Sequence, residues 1–283
     1  MIQTPGELGT ADLEWVSELL KKETAIVLGE AKRYLINSRL KSVAAQEGFA
    51  GVGALVAAVR AAPSGKLRRA LIESLTTNET YFFRDEALWQ YLRATLVPSL
   101  LKRREGERAL TLWCGACSSG QEPYSLAILL HDEFPALRGW RVLLIASDID
   151  EGVLAQGREG LYDQFEVNRG LPAKALVAHF ERAGSRWRVK EPLRRQIDFR
   201  KINLIGAWGE LGKPDLVFLR NVLIYFDQPA RRAVLERVTQ ILRPDGHLIL
   251  GSSEVSHPLA GLFLPVDRVS GTHSLAAGHP ART

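Results

Sequence analysis

The segment from Leu110 to Ala127, LTLWCGACSSGQEPYSLA, most constrains what this chain can fold into. A short apolar run (109–113) ends in a loop of small residues, and an amphipathic stretch from Glu122 to Leu130 follows. This pattern predicts a strand, a tight turn and a helix. In a doubly wound sheet, the turn after the first strand is where a nucleotide-like cofactor binds. The segment therefore predicts a cofactor site near Gly115.

The loop lacks two well-known phosphate-binding patterns. Its only glycines are Gly115 and Gly120, so G-x-G-x-x-G is not met, and no Lys-Ser/Thr pair follows as in a P-loop. A cofactor without phosphates fits better, and S-adenosylmethionine, with its adenosine, sulfonium and amino-acid tail, is such a cofactor. From the loop alone, an ordinary strand-to-helix turn without a ligand remains the alternative.

The cysteines, Cys114 and Cys117, are too few for a disulfide scaffold. Their C-x-x-C spacing is also found in redox pairs and zinc half-sites, but no second cysteine pair would complete a zinc site. We favour Cys117 as a small apolar filler of the loop and predict no metal site. No catalytic role is assigned to the scattered histidines, His131, His179, His247 and His257.

The composition is that of a globular protein of one large or two smaller domains, with 283 residues, 46% of them hydrophobic and 24% charged. No apolar run reaches the roughly 18 residues that a membrane helix needs. The N-terminal stretch MIQTPGELGTADLEW lacks the apolar centre of a signal peptide. We therefore expect a cytoplasmic, monomeric protein without membrane insertion.

The chain divides into a helical part and an alternating part. Residues 11 to about 75 have apolar residues at helical spacing and no strand signal, and a long helix interrupted by Pro98 is expected from about Glu86 to Arg104. After residue 109, short apolar strands alternate with helices, which favours a mostly parallel sheet with helices on both faces. The strands are expected near 109–113, 141–146, 197–199, 215–219 and 246–250, with a final pair at 263–266 and 272–275.

Polar residues follow three of these strands, at the edge of the sheet where a cofactor would lie. Asp148 is suited to accept hydrogen bonds from ribose hydroxyls, and Asp150 is suited to cap the next helix. Asn203 is placed to border an adenine, although from this residue alone a turn is the better interpretation. The strand at 215–219 is followed by Arg220 and Asn221.

Five sequence blocks occur in one order: TTNETYFFR (76–84), CSSGQEPYSLA (117–127), ASDID (146–150), INL (202–204) and RNVLIYFD (220–227). In these blocks the chain resembles the chemotaxis receptor methyltransferases, the CheR family, over roughly residues 12 to 275. The resemblance implies an α/β fold: a class I S-adenosylmethionine-dependent (Rossmann-like) methyltransferase sheet with a small all-helical N-terminal domain and a small β-subdomain insertion. The expected domains are 1–75 (helical), 76–108 (linker helix) and 109–283 (methyltransferase), with the β-subdomain at about 162–200.

The implied activity is methyl transfer from S-adenosylmethionine to glutamate side chains of chemoreceptors. It would give methyl esters and S-adenosylhomocysteine and adjust sensory adaptation. By the same resemblance, Arg84 either steers the acceptor carboxylate or anchors the cofactor carboxyl, and Tyr225 faces the transferred methyl, unless it is only a packing residue. The implied cofactor-binding residues are Asn78, Thr80, Arg84, Gly115, Glu122, Asp148, Asn203, Leu204, Arg220 and Asn221.

Glu122 has two interpretations. The order Ser119-Gly120-Gln121-Glu122 fits a capping box, in which the glutamate binds back to the main chain at the helix start. The resemblance instead places Glu122 near the methionine end of the cofactor. We favour the cofactor role.

Some family members grip a receptor pentapeptide with the β-subdomain. This chain keeps that pattern in WRVKEPLRRQIDF, but the turn from Arg182 to Ser185 is short. We therefore expect receptor recognition to be independent of the pentapeptide; the alternative is that Trp187 and its neighbours bind a different tail.

The net charge is +5, and residues 31–72 hold eight Lys or Arg against one acid, Glu47. This is either a solvated face or a surface for polyanions. We expect Lys32, Arg33, Arg39 and Lys41 to meet glutamate-rich cytoplasmic helices of receptors, and we expect no nucleic-acid partner. A silent receptor-binding scaffold and a nucleic-acid methyltransferase stay as alternatives, but the Asn-Pro-Pro-aromatic motif of many base methyltransferases is missing at Asn221.

Overall fold

The computed structural model describes residues 8–28, 33–62, 64–254, 259 and 261–276. Its internal contacts divide the described residues into two units. One comprises those up to Thr77 together with 225–230, and the other comprises 78–224 and those from 231 onwards. No helix within these ranges combines the length and the apolarity needed to cross a bilayer.

The first unit is built from helices, as the apolar spacing predicts. They are α1 (Thr10–Thr24), α2 (Arg33–Gln46), α3 (Val52–Ala61) and α4 (Lys66–Ser74). One side chain or more from every helix enters a common core, which includes Val16, Leu20, Ile36, Leu40, Leu55 and Leu71. The segment 225–230 joins this unit through a bridge between Ile26 and Phe226 and through a 2.9 Å ion pair between Lys21 and Asp227.

The expected basic surface is only partly described. Lys32 and the side chain of Arg33 lie outside the described residues. The Arg39 guanidinium donates to the main-chain carbonyls of Leu75 and Thr76 at 2.9 and 2.5 Å. Arg39 therefore secures the chain after α4, whereas Lys41 is exposed.

The second unit begins with one long helix of three parts. These are α5 (Glu86–Tyr91), a π-helical turn (Leu92–Leu96) and α6 (Val97–Arg103). Pro98 lies in the first turn of α6. Because proline cannot donate the i→i−4 bond, the irregularity falls in the turn before it and the helix continues.

The remaining elements alternate along the chain. They are β1 (Ala109–Gly115), α7 (Gln121–Glu133), β2 (Arg141–Asp148), α8 (Glu151–Glu159), β3 (Leu161–Tyr162), α9 (Gln164–Asn168), α10 (Ala173–His179), β4 (Phe180–Ala183), β5 (Arg186–Val189), α11 (Glu191–Arg194), β6 (Ile197–Lys201), β7 (Leu216–Leu219), α12 (Gln228–Ile241), β8 (His247–Leu250), β9 (Phe263–Asp267) and β10 (Thr272–Leu275).

Seven strands form the main sheet in the order β6-β2-β1-β7-β8-β10-β9. The first five strands in this order pair in parallel, and β10 pairs antiparallel with both β8 and β9. From β1 the chain moves outward through β2 to β6 and then returns to β7 on the other side of β1. This reversal creates a crevice at the carboxyl ends of β1 and β7, where ligands bind in open α/β sheets. The predicted class I methyltransferase architecture is confirmed.

A second, antiparallel sheet has the order β3-β5-β4. It is the small β-subdomain of the predicted fold. A two-residue turn joins β4 to β5, and Gly184 in this turn has a φ of 64°, which glycine adopts without the penalty of a Cβ. At its base, the ring of Phe82 packs edge-on against Tyr162 and Phe180, with centroid distances of 5.1 and 5.7 Å.

Candidate active site

The loop after β1 has an unusual main-chain conformation. Ala116, Ser118 and Gly120 all have positive φ angles, of 55°, 52° and 92°. Such angles cost energy in non-glycine residues and concentrate at functional sites. At Gly115, a Cβ would lie 2.6 Å from Cδ2 of Leu219, so a larger residue there would force the buried Leu219 side chain to move. The small residues that the sequence shows in this loop therefore suit its tight path.

Asp148, at the end of β2, supports this loop. Its Oδ2 accepts the Ser118 N–H at 2.8 Å, and its Oδ1 accepts the Asp150 N–H at 3.0 Å. Burial raises the pKa of the Asp148 carboxyl. The side chain thus links the ends of β1 and β2 at the position where the sequence predicts a ribose contact.

Asp150 is the N-cap of α8, as predicted. Its Oδ1 accepts the Gly152 N–H at 2.8 Å. Its Oδ2 accepts the side-chain amide of Asn78 at 2.8 Å, and the main-chain carbonyl of Asn78 accepts the Ser118 hydroxyl at 2.8 Å. The structure therefore brings Asn78, from the segment before α5, to the loops after β1 and β2.

Arg220, directly after β7, is the centre of a buried ionic cluster. Nη1 donates to Oε2 of Glu122 at 2.7 Å, and Nη2 donates to Oδ2 of Asp85 at 2.8 Å and to the Arg84 carbonyl at 2.9 Å. Burial of the guanidinium is the largest single influence on the Arg220 pKa, and it lowers that pKa. The two carboxylates together outweigh burial, so the Arg220 pKa is raised. The buried Nε has no partner among the described residues. Sequence reasoning missed Asp85, which follows the TTNETYFFR block directly.

The capping box expected as the alternative for Glu122 does not form. Gly120, in the left-handed region, is the N-cap of α7, and the Ser119 hydroxyl donates to the side chain of Gln121 at 2.9 Å. Glu122 is therefore available for the ion pair with Arg220.

Arg84 meets this cluster through its main chain. Its guanidinium donates to the Glu79 carbonyl at 3.2 Å and lies 5.5 Å from the centre of the Tyr81 ring. Thr80, in the same segment, is half-buried. In this segment it is therefore the Arg84 carbonyl, and not the Arg84 side chain, that binds Arg220.

The residues after β6 form a compact turn. Oδ1 of Asn203 accepts the Ile205 N–H at 3.1 Å, which is the turn role that the residue alone suggests. The Leu204 carbonyl accepts the Trp208 indole N–H at 2.9 Å and an Arg237 N–H at 3.0 Å. Asn203 is half-buried and the Leu204 side chain is buried.

Asn221 is held by a residue that sequence reasoning missed, Glu254. The Glu254 carboxylate accepts the N–H groups of Asn221, Leu223 and Gly251 at 2.7, 2.7 and 2.8 Å, and also those of Val222 and Ile224 at 3.0 and 3.3 Å. Asn221 has a φ of 60°. The sequence signal was a lone acid soon after the apolar strand β8.

Tyr225 belongs to the helical unit, where its carbonyl accepts the Val27 N–H at 2.8 Å. Its expected role in methyl transfer stays a prediction.

The two cysteines lie in surroundings typical of packing residues. Both are free and buried, and burial raises the pKa of each thiol well above its usual value. Since the thiolate is the reactive form, these cysteines are packing residues.

The side chains at this crevice suit a cofactor with both donors and acceptors. The carboxylates of Asp148 and Glu122 can accept hydrogen bonds from hydroxyl or ammonium groups, and the unpaired Nε of Arg220 offers a buried donor. The loop 115–120 contains no Lys or Arg to bind phosphates. This set fits S-adenosylmethionine, which carries ribose hydroxyls, an ammonium and a carboxylate.

Comparisons with known proteins show which family this chain resembles. The model of the CheR methyltransferase SAM-binding domain matches residues 78–266, and that of the CheR methyltransferase all-alpha domain matches residues 11–76. The chain is 38% identical to chemotaxis protein methyltransferase Cher2 of Pseudomonas putida, over 89% of this chain and 92% of that protein. It is 39% identical to chemotaxis protein methyltransferase 1 of Pseudomonas aeruginosa, over 88% and 92%. The chain therefore belongs to the CheR family of S-adenosylmethionine-dependent chemotaxis protein methyltransferases.

Proposed function

We propose that this enzyme methylates glutamate side chains in the cytoplasmic helices of chemoreceptors and forms glutamyl methyl esters. The observation that carries the proposal is the state of the carboxylates in the crevice. Glu122 is paired with Arg220, and Asp148 accepts two main-chain N–H groups. Both carboxylates are assigned to the cofactor, so neither is left to deprotonate an acceptor, and the acceptor should reach the site already ionised.

A glutamate meets this requirement, because its pKa of about 4.3 leaves it ionised at neutral pH. An amine or a hydroxyl would have to lose a proton first. When bound, S-adenosylmethionine supplies an electrophilic methyl on its sulfonium. The protein then has to align the acceptor and exclude water, and alignment alone can contribute roughly 7–11 kcal/mol.

The proposed roles divide between two parts of the crevice. Asp148 binds the ribose hydroxyls from the end of β2, with Asn78 fixing the adjacent loops through Asp150 and Ser118. Glu122 and Arg220 together bind the amino-acid end. The remaining residues assigned to cofactor binding are Thr80, Arg84, Gly115, Asn203, Leu204 and Asn221, and Tyr225 and Arg84 are assigned to acceptor positioning.

Labelled methyl transfer to receptor-containing membranes tests the activity. We expect the wild-type enzyme to incorporate methyl label that mild base releases, as esters do. Asp148→Asn should reduce both incorporation and the calorimetric affinity for S-adenosylhomocysteine. The matched control Asp198→Asn, at an exposed position on β6, should leave both unchanged. Cofactor binding without transfer would favour the scaffold, and base-stable label in nucleic acid would favour the other alternative.

We further propose that receptor recognition does not need a terminal pentapeptide. The β4–β5 turn is two residues long, so it offers little surface for a peptide. Trp187 is already engaged, since the Arg182 guanidinium lies 3.9 Å from its ring centre and its indole N–H donates to Gln164 at 3.0 Å. Receptors with and without the pentapeptide should be methylated at equal rates. A clear preference for the tailed receptor would overturn this proposal.

The receptor surface is proposed to include Lys41, which is exposed on α2. Lys41→Glu should slow receptor methylation at low salt and leave S-adenosylhomocysteine affinity unchanged, because opposite charges steer association. Unchanged methylation at low salt would remove Lys41 from the docking surface. A cytoplasmic, monomeric enzyme is the expected context.

A further inference from the structure

We propose that His131, Asp132 and His179 form a binding site for one divalent transition-metal ion, for which Zn²⁺ is suited. This cluster involves none of the residues assigned to cofactor binding. His131 and Asp132 lie at the end of α7, and His179 is the last residue of α10. The sequence alone predicts no metal site, so the structure assigns these histidines a role that their spacing does not suggest.

The donor atoms already converge on one carboxylate. Nδ1 of His131 lies 2.9 Å from Oδ1 of Asp132, and Nε2 of His179 lies 2.8 Å from the same oxygen and 3.0 Å from Oδ2. All three donor atoms lie within 4.8 Å of one another. Ligands at about 2.0–2.1 Å from a tetrahedral zinc ion are separated by roughly 3.3 Å, so small side-chain adjustments would bring them into place.

The side chains combine firm placement with freedom to adjust. His179 is 9% exposed, whereas the His131 side chain is 51% exposed and can turn toward an ion. The two imidazole rings already face each other edge-on, with centroids 5.2 Å apart. Two histidines and one carboxylate with access to water are a ligand set that zinc uses, with water as the fourth ligand.

The electrostatic setting is mixed but favours a cation. The partial negative charge at the carboxyl end of α7 adds to the Asp132 carboxylate. The neighbouring Glu133 is engaged with Arg93 at 2.5 Å, so it is not needed as a ligand. At the end of α10, the Lys190 ammonium donates to the Ala178 carbonyl at 2.7 Å, which offsets the negative end of that helix. The attraction therefore depends mainly on Asp132.

A bound ion would join two parts of the methyltransferase unit. Helix α7 begins at the cofactor loop, and His179 leads directly into β4, where its carbonyl accepts the Lys190 N–H at 2.8 Å. Coordination would therefore link the carboxyl end of α7 to the start of β4 in the small antiparallel sheet. The expected consequence is greater thermal stability of the full chain when the metal is bound.

The test uses the full-length protein, freed of any affinity tag and treated with a chelator. Isothermal titration with ZnCl₂ should give one equivalent of saturable binding, and Co²⁺ should produce the visible absorption bands of a tetrahedral site. Asp132→Asn keeps the size of the side chain but removes its charge. It should weaken binding by at least the roughly 10–100-fold that losing a supporting hydrogen bond costs.

Glu133→Gln is the matched control, because it removes a carboxylate from the same helix end without touching the donors. It should bind Zn²⁺ as the wild type does, and the thermal midpoint of both should rise with zinc. A stable Asp132→Asn variant whose midpoint does not respond to zinc would support the site. The proposal is overturned by absent or non-stoichiometric binding to wild type, by equal binding to Asp132→Asn, or by equal loss in Glu133→Gln.

Discussion

Arg220 and Glu122 are joined by a 2.7 Å ion pair between Nη1 and Oε2, with side chains only 3% and 12% exposed. One follows β7 and the other begins α7, so the pair ties together the two elements that border the crevice. Asp85 completes the cluster from the segment before α5, at 2.8 Å from Nη2. Three separate stretches of chain thus meet at one guanidinium.

Replacing this guanidinium should be costly. Arg220→Met leaves Glu122 and Asp85 facing each other without a cation, and breaking a buried pair typically lowers the free energy of unfolding by about 3–5 kcal/mol. Urea unfolding measures the loss, and titration with S-adenosylhomocysteine should show weakened binding. Arg232→Met, in an exposed pair with Glu236, is the control and should change stability by less than about 1 kcal/mol. Equal stability of the two variants would contradict the prediction.

Glu254 should matter for turnover as well as for stability. Glu254→Gln keeps one accepting oxygen but turns an NH₂ group toward main-chain N–H donors, which leaves some of them unsatisfied at about 1–3 kcal/mol. Because four of the five donors belong to 221–224, the displaced turn should lower the rate of methyl transfer. Unfolding and single-turnover assays measure both effects, with Glu236→Gln as an exposed control. A Glu254→Gln enzyme with wild-type rate and stability would show that the Glu254 hydrogen bonds to these main-chain groups are dispensable.

The stability of the protein should fall in mild acid because of His247. Burial lowers the pKa of this histidine from 6.5 to about 4. Between these values the unfolded chain binds a proton here that the folded chain does not, so the free energy of unfolding decreases as the pH falls from 6.5 to about 4. His247→Gln should make this decrease shallower in urea titrations at several pH values. Parallel profiles for variant and wild type would rule out this contribution.

Arg39 should stabilise the helical unit. Arg39→Ala removes the donor of two hydrogen bonds to the carbonyls of Leu75 and Thr76, both in buried residues. Leaving buried acceptors unpaired should cost about 1–3 kcal/mol of unfolding free energy. Lys41→Ala, two residues further on and exposed, is the control. If both variants unfold at the same denaturant concentration, the Arg39 contacts contribute nothing measurable.

The fold could be predicted because its signals are local. Apolar runs predicted β1, β2, β7 and β8. The helix caps and turns between these strands depend on residues close by in the sequence, as at Asp150, which caps α8. The capping-box alternative for Glu122 was wrong for an equally local reason: Gly120 adopts a left-handed conformation and takes the N-cap position itself.

Most of the site's contacts could not be predicted, because they join residues far apart in the chain. Arg220 and Glu122 are separated by 98 positions, and His179 and Asp132 by 47. No spacing rule relates such pairs, and only the folded chain brings them together. The family resemblance supplied the residue types of the pocket but neither Asp85 nor Glu254.

The hydrogen bonds that Glu254 accepts from two loops also limit where chain length can vary among related enzymes. Its carboxylate accepts N–H groups from two loops at once, one at Gly251, three positions before it, and one at Asn221, 33 positions away. Adding or deleting a residue between 251 and 254 would shift the carboxylate out of register with both loops. The turn at Gly184 favours glycine through its φ of 64°, but it has no such constraint from its surroundings, since a Cβ there would meet no heavy atom within 4 Å. Insertions and deletions among related enzymes should therefore accumulate at the β4–β5 turn and be rare beside Glu254.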